Sequence, residues 1–507
     1  MMATSPIWTL DSLLTDYTCE SLPKLQLQGL SQDSRLVQSG DLYLALAGGT
    51  THGMCFAEAA VAAGAVAVLC SRDVMSAHAS TVDSLRAEQV PLVAIEDLDS
   101  HYVRLASRFY RQPDRALKLI AVTGTDGKTS VCRFIAQALT AIDQPCGYIG
   151  TLGWGLGEQL QSTELTTPDA VSLHRMLAVM RDQGARAVAL EASSHGLAEG
   201  RLDGLALDVA VLTNFGRDHL DYHQSLEAYR AAKARLFSWP GLEAMVVNGR
   251  DSLGRELLTQ GEGLAQFAFH GDASTEVSES AGRACIIRAT NIRASDSGLH
   301  FSLAEGDAVG DVDTSLLGRF NVDNLLACYG CLRACGVAAN QARHALASVT
   351  PVCGRMERLG HDNQPTVVID FSHTPQALAV AIDAVRVHCR GSLWVVFGCG
   401  GDRDPGKRAP MAAAAEAADH VVLTDDNPRT ERSEDIIADA LQGFRQPEAV
   451  QVIADRAQAI AYAIAHAASD DLVLIAGKGH EDYQIIGTTR HSFSDRVEAL
   501  AALEQAS

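Results

Sequence analysis

The stretch 117–130, LKLIAVTGTDGKTS, constrains this chain more than any other. A run rich in Leu, Ile and Val ends in two glycines, a lysine and two hydroxyl residues, and VCRFIAQALT then continues at helical spacing. Strand, glycine turn and helix, in that order, build a phosphate-binding loop. Gly124 and Gly127 permit a tight turn and a close backbone approach to a polyphosphate. The N–H groups and dipole at the start of the next helix favour an anion there. In this reading Lys128 reaches the β- and γ-phosphates and the Thr129 hydroxyl meets Mg2+. The plainer reading is a glycine turn before a helix that carries Lys-Thr by chance. Val122 stands where the longer G-x-x-x-x-G-K-[ST] pattern has glycine, so the loop needs support from the rest of the chain.

A length of 507 residues suggests about three domains. With 41 basic against 62 acidic side chains the net charge is -21, which argues against a general nucleic-acid or anionic-membrane binder but allows local basic pockets. The N-terminal MMATSPIWTLDSLLTDY lacks a basic leader and meets acids early, so no secretory signal is expected. No apolar run approaches the roughly 18 residues of a spanning helix. Twelve scattered cysteines fit a reducing, cytoplasmic setting. Cys328, Cys331 and Cys335 fall on one apolar helix face in NLLACYGCLRAC, where core packing is a better reading than a metal site.

Three α/β units are expected. Residues 1–97 carry short apolar strands (DLYLALAG, AVAVLC, VPLVAIEDL) around an alanine-rich helix, and Ser34 lies in a polar stretch that reads as a surface loop. Residues 98–350 open with a helix and contain the phosphate loop. The strand ARAVAL runs into Glu191, a natural Mg2+ ligand, and into Ser193 and His195; DVAVLTN ends near Asn214, Asp218, His219 and Asp221. Open α/β sheets bind ligands at strand carboxyl ends, and three such ends in one domain are hard to dismiss. Lys233, in the amphipathic SLEAYRAAKARLF, reads as a solvated lysine on its own pattern. From about 261 to 310 a polar, β-rich insertion is expected, after which Asn321 and Asn324 begin a helix that they cap or use to touch a ligand. Residues 351–507 alternate strands and helices again, as a second parallel, doubly wound sheet. Its strand ends bring Asp370, His373, Arg403, Asp426, Asn427, Arg429, Lys478, His480 and Glu481, a set suited to a zwitterionic or carboxylate-bearing substrate.

With GTDGKTS, EASSHGL, TNFGRDHLDYH, AAKARLF, GRFNVDN, GRMERL, DFSHTP and GKGHE in order over nearly all of the chain beyond residue 30, the sequence resembles the Mur ligases. These are the ATP-dependent amino-acid-adding enzymes of peptidoglycan precursor synthesis. Within the family it is most similar to the ligases that add a diamino acid to UDP-N-acetylmuramoyl-L-alanyl-D-glutamate. GCGGDRDPGKR and DDNPR are the telling segments, and the DNPR motif, residues Asp426, Asn427, Pro428 and Arg429, points to meso-diaminopimelate.

The resemblance implies an N-terminal domain for the UDP substrate, a central P-loop-type ATPase domain with a mostly parallel sheet, and a C-terminal Rossmann-like domain for the amino acid. It places Gly124, Thr125, Asp126, Gly127, Lys128, Thr129, Ser130, Asn214, Asn321, Arg355 and Asp370 around ATP. Thr129, Glu191, His219 and Lys233 hold Mg2+, with Lys233 carbamylated (N6-carboxylysine) in place of the solvated role that its helix suggests. Ser34, Thr166, Thr167, Ser193, Glu199 and Arg201 match contacts to the UDP-muramoyl peptide, and Arg403, Gly477 and Glu481 join the DNPR motif around the incoming amino acid. Lys128, Glu191, His219 and Lys233 are the catalytic set, with no side-chain nucleophile. Two residues depart from the pattern. Asp126 replaces the Asn of many relatives and is expected to point away from the phosphates or toward Mg2+; Glu199 stands in place of Gln, which puts that substrate contact in question. The expected protein is a cytoplasmic monomer that binds small molecules, neither nucleic acid nor a membrane interior. Rival readings are an L-lysine-adding relative, a folylpolyglutamate synthetase-like ligase, a nucleotide-binding regulator without catalysis, and a P-loop motor or GTPase.

Overall fold

The computed structural model describes residues 8–261, 263–271, 284–361 and 363–505. The start of the N-terminal segment (1–7) and part of the polar stretch (272–283) lie outside these residues. The chain packs into two compact units: Met1–Thr125, Asp143–Val211 and Gly216–Met245 form one, and Asp126–Ile142, Leu212–Phe215 and Val246–Ser507 the other.

In the first unit, strands Gly29–Ser31, Asp41–Ala45, Ala67–Ser71 and Leu92–Ile95 form a parallel sheet in sequential order. Alternate residues face opposite sides. Leu42, Leu44 and Leu69 pack with Leu10, Leu13 and Leu14 on one side, while Tyr43, Val68 and Cys70 face Met54, Ala57 and Ala60 on the other. Ser34 lies in the surface connection between the first two strands, as expected, and the structure gives that connection a local shape. Ser34 opens a 3-10 turn, Ser34–Leu36, capped by the Asp33 carboxylate accepting from the Arg35 N–H, because Asp is short enough to satisfy a helix-start donor. The strand Lys118–Thr123, with Leu119 to Val122 fully buried, pairs in parallel with Ala187–Glu191, so both apolar runs deliver their polar successors at the same sheet edge.

In the second unit, helix Lys128–Thr140 packs against Phe320–Ala334. Cys328 and Cys331 are fully buried on that second helix, as core packing requires. The polar stretch near 285–314 is β-rich, as expected: strands Cys285–Ser295, Gly298–Glu305 and Ala308–Thr314 continue the sheet outward from Ala265–His270. The last part of the chain is a six-stranded sheet in the order Glu357–Leu359, Thr366–Asp370, Leu472–Ala476, Leu393–Cys399, His420–Asp425, Gln451–Val452. Its pairs are parallel except the first. Leu393, Val395 and Phe397 enter one core, Trp394 and Val396 the other. Burial on both faces explains why these strands read as unbroken apolar runs. Each buried Val, Leu or Phe contributes about 1.5–3 kcal/mol. Asp370, Cys399, Asp425 and Ala476 all end at one edge, with their polar segments beyond them.

Candidate active site

The phosphate loop is shaped by its neighbours. Gly127 caps helix Lys128–Thr140 at φ 80°, a left-handed conformation that glycine adopts without strain, and a Cβ there would lie 2.7 Å from the Asn324 amide oxygen. The Asp126 N–H donates to Asn214 Oδ1 (2.9 Å) and its carbonyl accepts from the Thr213 hydroxyl (2.6 Å), while its side chain is exposed. Asn321 is buried, donates to the Leu317 carbonyl (2.8 Å) and accepts from Asn324 (2.9 Å), which fastens the start of helix Phe320–Ala334 behind the loop. Thr129 is buried in the first turn.

In the first unit, Glu191 is 1% exposed, and burying a carboxylate requires hydrogen bonds to it. Its Oε1 accepts from the Tyr148 hydroxyl (2.6 Å) and the Thr151 N–H (3.0 Å), and its Oε2 from the Thr151 hydroxyl (3.2 Å). Thr151 in turn bonds Thr166 (3.1 Å). The Thr167 hydroxyl donates to the Glu191 carbonyl (2.8 Å) and accepts from the Ser193 N–H (3.0 Å). Ser193 caps helix Ser194–Ala198.

Lys233 contradicts the solvated reading of its helix. It is 1% exposed, its Nζ donates to the Gly124 carbonyl (2.7 Å), and it lies 4.5 Å from the Tyr229 ring centre. The physical reason is helical spacing: Tyr229 and Lys233 stand four residues apart on the inward face of Leu226–Ala234. The Tyr229 hydroxyl bonds Thr125 Oγ1 (3.1 Å), which also accepts from the Gly216 N–H (2.8 Å). His219, at φ 51°, faces the rings of His195 (4.9 Å) and Tyr229 (6.2 Å). Burial, with His219 beside it, holds His195 below the ordinary imidazole value.

Glu199 and Arg201 pair with each other (2.6 Å), and Arg201 also donates to the Thr167 carbonyl (2.8 Å). Glu199 thus orients an arginine, as a carboxylate can through a charge-assisted pair. The turn holding Ser34 reaches the same region through Arg35 and Glu164 (3.6 Å).

At the other sheet's edge, Asp370 accepts from the Ser372 N–H (3.0 Å) and hydroxyl (2.5 Å) and from the Met356 N–H (3.0 Å). The Arg355 guanidinium covers the Phe371 ring (4.5 Å), which also faces His480 (5.2 Å). Burial, with Arg355 nearby, pushes the His480 imidazole down to about 4. Lys478 is fully buried, donating to Glu481 Oε2 (2.9 Å) and Asn427 Oδ1 (3.3 Å), with Asp426 at 3.9 Å. Asn427 also donates to Glu481 (3.3 Å).

Two segments interlock here. Arg429, at φ 52°, donates from Nη1 to the Gly401 carbonyl (2.7 Å), and the Gly401 N–H donates to the Asn427 carbonyl (2.9 Å). A Cβ at Gly401 would collide with the Pro428 carbonyl, and the Thr430 hydroxyl bonds the Asp402 carboxylate (2.9 Å). Arg403 is exposed, with its Cγ beside Gly400. The structure therefore gathers Asp426, Asn427, Pro428, Arg429, Gly477 and Glu481 at one sheet edge. The sequence pattern assigned no role to Tyr148, Thr151 or Tyr229, whereas Lys478 belongs to the strand-end set expected around a zwitterionic substrate. Only Tyr229, four residues before Lys233, had a local signal.

Family models match three successive segments: 26–110 (Mur ligase family, catalytic domain), 122–332 (Mur ligase middle domain) and 354–479 (Mur ligase, glutamate ligase domain). The chain belongs to the Mur ligase family. Among similar Mur ligases, the UDP-N-acetylmuramoyl-L-alanyl-D-glutamate--2,6-diaminopimelate ligase of Pseudomonas aeruginosa is 45% identical over 480 residues, covering 94% of this chain and 95% of the relative. That of Xanthomonas campestris pv. campestris is 45% identical over 481 residues, covering 94% of each. A solved structure of a ligase with that name aligns over 98% of this chain and 99% of its own, with 34% identity and a TM-score of 0.69. The MurF ligase of Thermotoga maritima, solved in complex with ADP, shares the fold at 16% identity, covering 96% of this chain and 99% of its own, with a TM-score of 0.62. Among the described residues no helix is long and apolar enough to cross a membrane, and no three His, Cys, Asp or Glu side chains form a ready-made metal cage.

Proposed function

We propose that this Mur ligase joins meso-diaminopimelate to UDP-N-acetylmuramoyl-L-alanyl-D-glutamate with consumption of ATP, in the cytoplasm and as a monomer. The observation that carries the substrate assignment is the anchored Asp426–Arg429 segment, with Glu481 and Lys478 beside it, in a chain 45% identical to ligases of that name. Arginine binds carboxylates bidentately, and the neighbouring carboxylates suit ammonium groups, so the segment offers both signs that a diamino dicarboxylic acid needs. Domain boundaries fall near 97/98 and 350/351 in this reading.

The phosphate loop, with Lys128 and Ser130, binds the ATP phosphates, and Asn214, Asn321, Arg355 and Asp370 complete the nucleotide site. Ser34, Thr166, Thr167, Ser193 and Arg201 bind the UDP-sugar peptide, with Glu199 orienting Arg201. A substrate carboxylate attacks the γ-phosphorus, forming an acyl phosphate and releasing ADP. The amine of the incoming amino acid adds to the acyl carbon, a tetrahedral intermediate forms, the nitrogen loses its proton, and phosphate leaves with the broken C–O bond. Lys128 offsets charge on the transferring phosphoryl group.

The donor set also fits Mg2+, which binds through one or two carboxylates together with substrate phosphates. Within the first unit, Glu191, His219 and Lys233 as its carbamate would hold it, and the buried Lys233 Nζ has the carbonyl and ring surroundings described above. Bound there, Mg2+ supplies charge neutralisation for the phosphates.

Phosphate release from ATP tests the reading, with Mg2+, the UDP-sugar dipeptide and either meso-diaminopimelate, L-lysine or no amino acid. Turnover with meso-diaminopimelate alone is expected. Turnover with lysine in its place would overturn the specificity, and turnover with neither would overturn the reaction.

A further inference from the structure

Arg456 has no part in the site as assembled so far, yet its side chain is completely buried. It is the first residue of helix Arg456–His466 and grips Asp495, the first residue of the last helix, bidentately: Nε to Oδ1 at 2.7 Å and Nη2 to Oδ2 at 2.8 Å. Its other donors go to two main-chain carbonyls, Asp425 (3.2 Å, from Nη1) and Ala476 (3.1 Å, from Nη2). Those residues end the strands His420–Asp425 and Leu472–Ala476, which lie on either side of Leu393–Cys399. Each carbonyl immediately precedes a substrate segment, Asp426–Arg429 in one case and Gly477–Glu481 in the other. The segments meet at this point: a Cβ on Gly477 would stand 3.0 Å from Asp426 Oδ2 and 3.9 Å from Arg456 Nη2.

A buried ion pair contributes little net stability compared with well-packed apolar residues. A planar fork, however, fixes geometry in a way that an ammonium cannot. We propose that Arg456, held by Asp495, is a positioning residue for the amino-acid substrate. It sets the spacing between the Asp426–Arg429 and Gly477–Glu481 segments, and so between the groups that receive the carboxylate and ammonium ends. The inference rests on the substrate reading above for its kinetic consequence, and on the geometry alone for its structural one.

The test uses the full chain carrying Arg456→Met together with Asp495→Leu, which removes both buried charges at once. The thermal midpoint is expected to stay near the parent's. The KM for meso-diaminopimelate should rise about tenfold while the KM values for ATP and the UDP-sugar dipeptide stay within about twofold, because small misplacements of a binding group are costly only to the ligand it holds. Amide exchange should quicken in 425–429 and 476–481. A purely structural role would lower the active fraction, and hence kcat, without touching one KM selectively. A stable double variant with an unchanged KM for diaminopimelate and unchanged exchange in both segments would overturn the proposal. If that variant does not fold, Arg456→Lys decides: one ammonium cannot serve both carbonyls and the carboxylate, so the same selective changes are expected, and their absence overturns the proposal equally. If the parent fails to turn over diaminopimelate, the substrate reading falls, and the exchange measurement alone decides the role of Arg456.

Discussion

In the roles proposed for them, the phosphate loop and the 426–429 and 477–481 segments face opposite electrostatic problems. Around the loop, backbone amides, hydroxyls and carboxamides dominate: Asn214 and Thr213 hold Asp126, and Asn321 and Asn324 brace the helix behind it. Around the amino-acid segments, buried charges dominate: Lys478 with Glu481, Arg456 with Asp495, and Arg408 with Glu431 and Asp439. A polyphosphate carries one sign of charge, which N–H groups, a helix dipole and a bound cation can meet together. A zwitterion presents both signs at a fixed separation, so its receptors must be charged, and each buried charge needs its own partner. In the first case positive groups of one sign, gathered along the backbone, are enough. In the second, geometry has to be imposed by paired charges.

The contrast can be broken at three points. Lys128→Ala should have the largest effect, lowering kcat about 10³-fold, as loss of a group aimed at transition-state charge does, with little change in the KM for the amino acid. A selective rise in that KM would show that the two regions do not divide the work as described. Arg429→Ala should raise the KM for meso-diaminopimelate about 10²-fold, as loss of one charge-assisted bidentate contact implies, while the KM for ATP holds steady. Equal losses for both ligands would dissolve the contrast.

The smallest effect concerns pH. With the His480 imidazole at about 4 in the folded chain against an ordinary 6.5, neither state is charged above pH 6.5. As pH falls from there toward 4, the unfolded chain takes up a proton that the folded one refuses, and stability is lost. The expected loss between pH 7 and pH 5 is about 2 kcal/mol, measured by urea unfolding and absent in His480→Asn. An identical pH dependence in that variant would assign the effect elsewhere.

Much of the arrangement was legible from the chain because strand ends announce themselves. Apolar runs such as ARAVAL and DLVLIA stop at Glu191 and Lys478, and a fold buried on both sheet faces leaves no other place for polar side chains. Lys233 was illegible from its own pattern, since a helix with one buried lysine looks the same as one with an exposed lysine until its partner is known. The hydroxyls on Glu191 come from Tyr148 and Thr151, some 40 residues away, and Arg456 meets Asp495 across 39 residues. Such pairings depend on where strands end in space, which no local periodicity encodes. Glu199 gave a signal that only geometry could interpret, because its importance lies in Arg201.

The interlock between 398–402 and 426–430 bears on how this enzyme could be re-engineered. The chain places these segments some 25 residues apart, yet Arg429, Pro428 and Thr430 each lean on Gly401 or Asp402. A transplant of the four-residue motif alone would carry the guanidinium without the mould that aims it. Retargeting to another amino acid therefore calls for exchanging both segments together, and libraries that vary only 426–429 would sample mostly misdirected side chains.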